Sequence, residues 1–182
     1  MNYATIKNCD IANGPGVRVS LFVSGCTHRC KGCFNAVAWD FSYGDPFTQE
    51  TVDMILEMLA PDHIKGLTLL GGEPFEPENQ PAILDLLRQV KCKYPDKSIW
   101  AFSGYLFDED ILAGKLGPWE ITKEYISYLD VLVDGPFVEE KKNLSLRFRG
   151  SSNQRLIDVP ASLCEGKIVL WEDWQGYGKG MR

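Results

Sequence analysis

From Val17 to Val133 the sequence alternates short β-rich runs with stripes of helical period, and few folds accommodate that alternation. Residues 17–23, 66–70, 98–102 and 130–133 are short, mostly apolar runs next to turn-forming residues, as strands are. Between them, Val52, Ile55, Leu56 and Leu59 fall at i, i+3, i+4 and i+7 behind a capping Thr48. Ile83, Leu84, Leu87 and Val90 repeat the stripe behind Pro81, whose missing N–H costs little in a first helical turn. Each stripe is apolar on one side and needs a sheet to cover it. The alternation predicts an α/β fold with a mainly parallel sheet, right-handed crossovers, and functional loops at the C-terminal ends of the strands.

A chain of 182 residues buries roughly 70% of its unfolded surface in one domain and needs no disulfide staple. No repeat or linker divides it, so a single domain over residues 1–182 is expected. The N-terminus lacks a basic and apolar leader, and no apolar run approaches the ~18 residues of a membrane span. These features predict a cytoplasmic protein with no membrane partner. The net charge of −6 with scattered basic residues argues against a nucleic-acid partner.

Three of the six cysteines, Cys26, Cys30 and Cys33, crowd into SGCTHRCKGCFN directly after the first strand. In a reducing compartment, clustered thiols point to metal or redox chemistry, whereas the isolated Cys9, Cys92 and Cys164 read as plain structure. Two metal readings compete. Zinc with His28 as its fourth ligand requires one-residue gaps on both sides of the histidine, unlike the usual structural spacings. A 4Fe-4S cluster held by three thiolates leaves one iron open to a ligand that is not protein. His28 reads otherwise as a solvent-facing loop residue.

A second turn, GGEP at 71–74, follows the second strand run. Its glycines allow close backbone approach to a ligand, and Glu73 offers a carboxylate to a cationic group. Ser103 in FSGY, and Ser151, Ser152 and Asn153 in RGSSNQ, either line a pocket or make turn hydrogen bonds.

Together, NGPG at 13–16, the Cys-x3-Cys-x2-Cys loop and GGEP resemble the radical S-adenosylmethionine activases of glycyl-radical enzymes. SLFVSGCTHRCKGCFN, WAFSGY, VLVDGPF and RFRGSSNQR narrow the resemblance to the activating proteins of anaerobic ribonucleoside-triphosphate reductases, as far as about Asp158. The resemblance implies a partial, open (β/α) barrel, since the closed form typically needs ~250 residues. It implies a 4Fe-4S cluster on Cys26, Cys30 and Cys33, and S-adenosylmethionine contacts at Gly32, Cys33, Phe34, Gly72 and Glu73. Asp134, at a strand end, is a weaker candidate for holding a cation near the cofactor. Beyond residue 159 the chain reads as a variable extension, with a short strand at 167–171 and a mobile, glycine-rich end.

The implied activity is an oxidoreductase's. Reduced flavodoxin or ferredoxin supplies an electron, S-adenosylmethionine is cleaved reductively, and the 5′-deoxyadenosyl radical takes hydrogen from a glycine of the anaerobic reductase. No general acid or base is required, so no catalytic side chain is expected. The alternatives are another radical S-adenosylmethionine enzyme, such as a pyruvate formate-lyase activase or a deazapurine-synthesis enzyme, and a non-catalytic zinc-binding interaction module.

Overall fold

The computed structural model describes residues 1–172. Its strands are β1 (Asn2–Asp10), β2 (Val17–Val23), β3 (Asp45–Pro46), β4 (Ile64–Gly71), β5 (Ser98–Phe102), β6 (Val131–Asp134) and β7 (Arg155–Asp158). Its α-helices are α1 (Gln49–Leu59), α2 (Gln80–Lys93), α3 (Trp119–Ser127) and α4 (Val159–Glu165). The seven strands form one sheet in the order β3-β1-β2-β4-β5-β6-β7, a linear order that leaves the sheet unclosed.

The expected parallel sheet exists at the centre: β2, β4, β5 and β6 pair in parallel. Its edges differ from the expectation. β1 and β3 add antiparallel pairs on one side, and β7 adds another on the other. β1 gave little signal because its residues are mostly half-buried or exposed, so no buried face imprints a clear alternation.

Alternation along the central strands separates two faces. Val19, Leu21, Leu67, Leu69, Ile99, Ala101 and Leu132 join the apolar stripes of α1 and α2 in the main core. The opposite face carries Arg18, Thr68, Trp100, Val131 and Val133, of which the last three form a second, smaller cluster. Arg18 is 1% exposed and is satisfied without a carboxylate, donating to Thr68 Oγ1, Ser98 Oγ and the carbonyls of Leu67 and Ser98. One side chain thereby ties β2 to β4 and β5.

Thr48 sits at the N-cap of α1, its N–H donating to Thr51 Oγ1 at 3.2 Å, and Pro81 lies in the first turn of α2. The short strand expected at 167–171 is not formed. Only an isolated bridge joins Leu170 to Ile157, while Trp171 N donates to Leu156 O at 2.8 Å. The glycine-rich end, 173–182, lies outside the described residues.

Candidate functional site

The cysteine loop leaves β2 at its C-terminal end, and the GGEP turn leaves β4 beside it. Parallel pairing sets Val23 against Gly71, so the two turns emerge together. Gly72 N donates to Val23 O at 2.7 Å, Glu73 N to Gly25 O at 2.8 Å, and Gly25 N to Ala38 O at 2.8 Å. A Cβ on Gly72 would lie 2.5 Å from Gly25 O, so the missing side chain serves the contact between the two turns.

Glu73 is 1% exposed and accepts four hydrogen bonds. Its Oε1 takes Phe75 N and Ser103 Oγ, and its Oε2 takes Gly104 N at 2.7 Å and faces His28 Nε2 at 3.2 Å. The expectation of a solvent-facing His28 is therefore corrected. The ring lies against Tyr105 at 4.2 Å between centroids and fills the space that a Cβ on Gly104 would occupy. Burial opposes protonation of His28, but the hydrogen bond and nearby charge of Glu73, with Glu76 beyond, raise its pKa above the ordinary histidine value. Glu76, which sequence reasoning missed, is 4% exposed and accepts from both the N–H and the hydroxyl of Thr27. Asn79, also missed, donates to the carbonyls of Ser24 and Glu73. The cysteine loop is thus fastened to the segment after β4 through Ser24, Gly25, Thr27 and His28.

All three loop cysteines are free, half-buried, and line one cavity of about 540 Å³ over the C-terminal ends of the parallel strands. Gly32, Phe34, Gly72, Glu73 and Ser103 line it too. Phe34 is 88% exposed, so its ring is free of the core and borders the cavity. Cys9, Cys92 and Cys164 are exposed and lie away from the cavity, so they do not pack the core. Ser151 Oγ accepts from Val138 N and Asn153 Nδ2 donates to Pro136 O, so these two make turn hydrogen bonds while the neighbouring Gln154 lines the cavity. Asp134 is fully buried; Arg155 Nε and a guanidinium terminal nitrogen engage its two oxygens, and Phe107 N donates to it at 2.8 Å. Arg155 already supplies that carboxylate with a positive charge.

Three thiols on one loop are the soft donor set that an iron–sulfur cluster takes. Among the described residues no three His, Cys, Asp or Glu side chains converge as a mononuclear metal requires. A cubane spreads its thiolates over separate irons and so spaces them further apart. Asn35 N donates to Cys33 Sγ at 3.4 Å, the kind of backbone contact that tunes cluster sulfurs. Burial, with Glu73 and Glu76 nearby, pushes the Cys26 thiol up to about 11 in the metal-free protein. His28 Nε2 turns to Glu73 and does not complete a Cys3His set.

A 4Fe-4S single cluster domain family matches residues 12–157. The anaerobic ribonucleoside-triphosphate reductase-activating protein of Vibrio cholerae is 44% identical over 156 residues, covering 85% of this chain and 96% of that protein. Its namesake from Enterobacteria phage T4 is 44% identical over 86% of this chain and 93% of its own length. The one from Escherichia coli K12 is 43% identical over 85% and 96%. With three free cysteines on one strand-end loop and these relatives over most of its length, the chain belongs to the anaerobic ribonucleoside-triphosphate reductase-activating proteins.

Proposed function

We propose that this chain activates an anaerobic ribonucleoside-triphosphate reductase by generating a glycyl radical on it, in a cavity that holds a 4Fe-4S cluster and S-adenosylmethionine. The observation that carries the reading is the meeting of Cys26, Cys30 and Cys33 with the GGEP turn around one cavity. Bound together there, the two cofactors supply one-electron cleavage of the sulfonium and a hydrogen-abstracting 5′-deoxyadenosyl group. The residues of the chain hold, orient and exclude water. Cys26, Cys30 and Cys33 bind the cluster, while Gly32, Phe34, Gly72 and Glu73 border the space left for the cofactor.

Several features support a protein substrate. Phe34 and Leu144, 88% and 91% exposed, belong to two different loops lining the cavity, where a docked chain covers them. The four parallel strands, with α1 and α2 on one face and the cavity over their C-terminal ends, support the partial, open barrel reading. The packing of Trp171 and α4 against the sheet supports a single domain that includes the start of the extension. Among the described residues no helix is long and apolar enough to cross a membrane. Reduced flavodoxin or ferredoxin is the proposed electron donor, and six free cysteines suit a reducing cytoplasm.

The test is anaerobic reduction with S-adenosylmethionine and the partner reductase, followed by electron paramagnetic resonance. The expected result is a glycyl-radical doublet on the reductase and deuterium transfer from its labelled glycine into 5′-deoxyadenosine. Transfer from a small metabolite without the reductase overturns the reading.

A further inference from the structure

Residue 171 lies beyond the stretch that the cluster-domain family matches, yet it packs, half-buried, against the smaller apolar cluster of the sheet. Trp171 stands edge-on to Trp100 at 5.0 Å and to Phe148 at 6.4 Å, and Phe148 stands edge-on to Trp100 at 5.4 Å. Trp100, 2% exposed, is the buried centre of this trio, on the sheet face opposite the main core. Behind it the Arg18 guanidinium lies 5.7 Å from its ring centroid. The tail is held in register by Asp158 N donating to Val169 O at 2.9 Å and Trp171 N donating to Leu156 O at 2.8 Å.

Phe148 also lines the cavity, together with Leu144, Leu146 and Arg149 of the same loop. Its φ of 55° is left-handed, a conformation a phenylalanine keeps only when its surroundings impose it. Arg149 donating to Gln154 O and Gly150 N donating to Gln154 Oε1 fix the backbone after it. Among the described residues Trp100 and Trp171 stand edge-on to its ring and the Arg147 guanidinium lies 5.0 Å from the ring centroid; Trp100 is itself part of the sheet, and Arg147 belongs to the same loop as Phe148.

We propose that Trp171 is a positioning residue for the cavity: it wedges the ring of Phe148 against Trp100 and so keeps the 142–150 loop standing as the cavity wall. The part of this that concerns S-adenosylmethionine rests on the function proposed above. The part that concerns the loop does not.

The two parts separate experimentally. Limited trypsin digestion of the full-length, cofactor-free protein reads the loop directly, because Lys141, Lys142, Arg147 and Arg149 are its cleavage sites. Trp171→Ala is expected to raise cleavage there roughly tenfold through local opening, while Trp171→Phe stays within roughly twofold of wild type. In protein with a reconstituted cluster, Trp171→Ala is expected to weaken S-adenosylmethionine binding by equilibrium dialysis roughly tenfold, with iron and sulfide content unchanged. Unchanged cleavage in Trp171→Ala overturns the proposal. Faster cleavage with unchanged affinity overturns the claim that this loop walls the cofactor's part of the cavity. If Trp171→Ala loses its cooperative melting transition, Trp171→Leu decides by the same two measurements. If wild type binds no S-adenosylmethionine, the proposed function fails while the cleavage result still judges the role of Trp171.

Discussion

His28 Nε2 lies 3.2 Å from Glu73 Oε2, across the boundary between the cysteine loop and the turn after β4. The pair joins the loop to two strand ends at once, because the same carboxylate oxygen accepts from Gly104 N after β5. Glu73 therefore does structural work before any cofactor arrives.

Glu73→Ala is expected to destabilise the cluster-free protein. It strands Phe75 N, Ser103 Oγ, Gly104 N and His28, and each buried donor left unpaired costs about 1–3 kcal/mol. A net loss of about 3 kcal/mol lowers Tm by roughly 6–12 °C in a domain of this size. Thermal unfolding without cluster is the measurement, and an unchanged Tm returns Glu73 to a purely cofactor-binding role. Glu73→Gln, which keeps one accepting oxygen, is expected to fall between the two.

Gly72→Ala tests whether the two turns must touch. Its Cβ meets the Gly25 and Ala38 carbonyl oxygens at 2.5 and 3.0 Å, and backbone atoms cannot rotate away. Overpacking of this kind costs about 1–3 kcal/mol, and here the strain falls on the start of the cysteine loop. The expected outcome is reduced iron incorporation on anaerobic reconstitution together with a lower Tm. Gly166→Ala, with nothing within 4 Å of its Cβ, is the control: a φ of +67° costs it roughly 1 kcal/mol and leaves the cluster untouched.

The central strands were legible as continuous buried runs and both early helices through one buried stripe each, and burial writes itself into residue spacing. β2 and β5 fall on the expected 17–23 and 98–102. The antiparallel edge β7 was not legible: Arg155–Asp158 is four residues long and half polar, and its role depends on Asp134, twenty-one positions earlier. The cysteine loop and GGEP announced themselves through rare residue types at strand ends. Glu76, Asn79 and His28 did not, since a buried polar residue is recognisable only from partners the chain brings from elsewhere. Nothing in the spacing distinguishes Glu76 from Glu78, two residues on in the same segment and exposed.

Cys26→Ala, Cys30→Ala and Cys33→Ala are each expected to prevent assembly of a stable 4Fe-4S cluster, because two thiolates cannot hold three irons. Cys9→Ala, Cys92→Ala and Cys164→Ala, all at exposed positions, are expected to retain it. Iron and acid-labile sulfide assays after reconstitution decide. A full cluster in Cys30→Ala, or none in Cys92→Ala, sinks the ligand assignment.

Arg155→Met is expected to be among the more damaging changes outside the cysteine loop. Asp134 is fully buried, and Arg155 is the cation beside it, also donating to Asp108 Oδ1 at 2.8 Å. Removing one partner of such a pair leaves a buried charge uncompensated, at a cost of about 3 kcal/mol even with the arginine partly open to water. The double variant Arg155→Met with Asp134→Asn removes that charge while its side chain can still accept from Phe107 N, so it is expected to recover part of the loss. Urea unfolding of the two single variants and the double gives the coupling. If the double variant is no more stable than Arg155→Met, the pair does not act as a unit, and the cation-binding reading of Asp134 reopens.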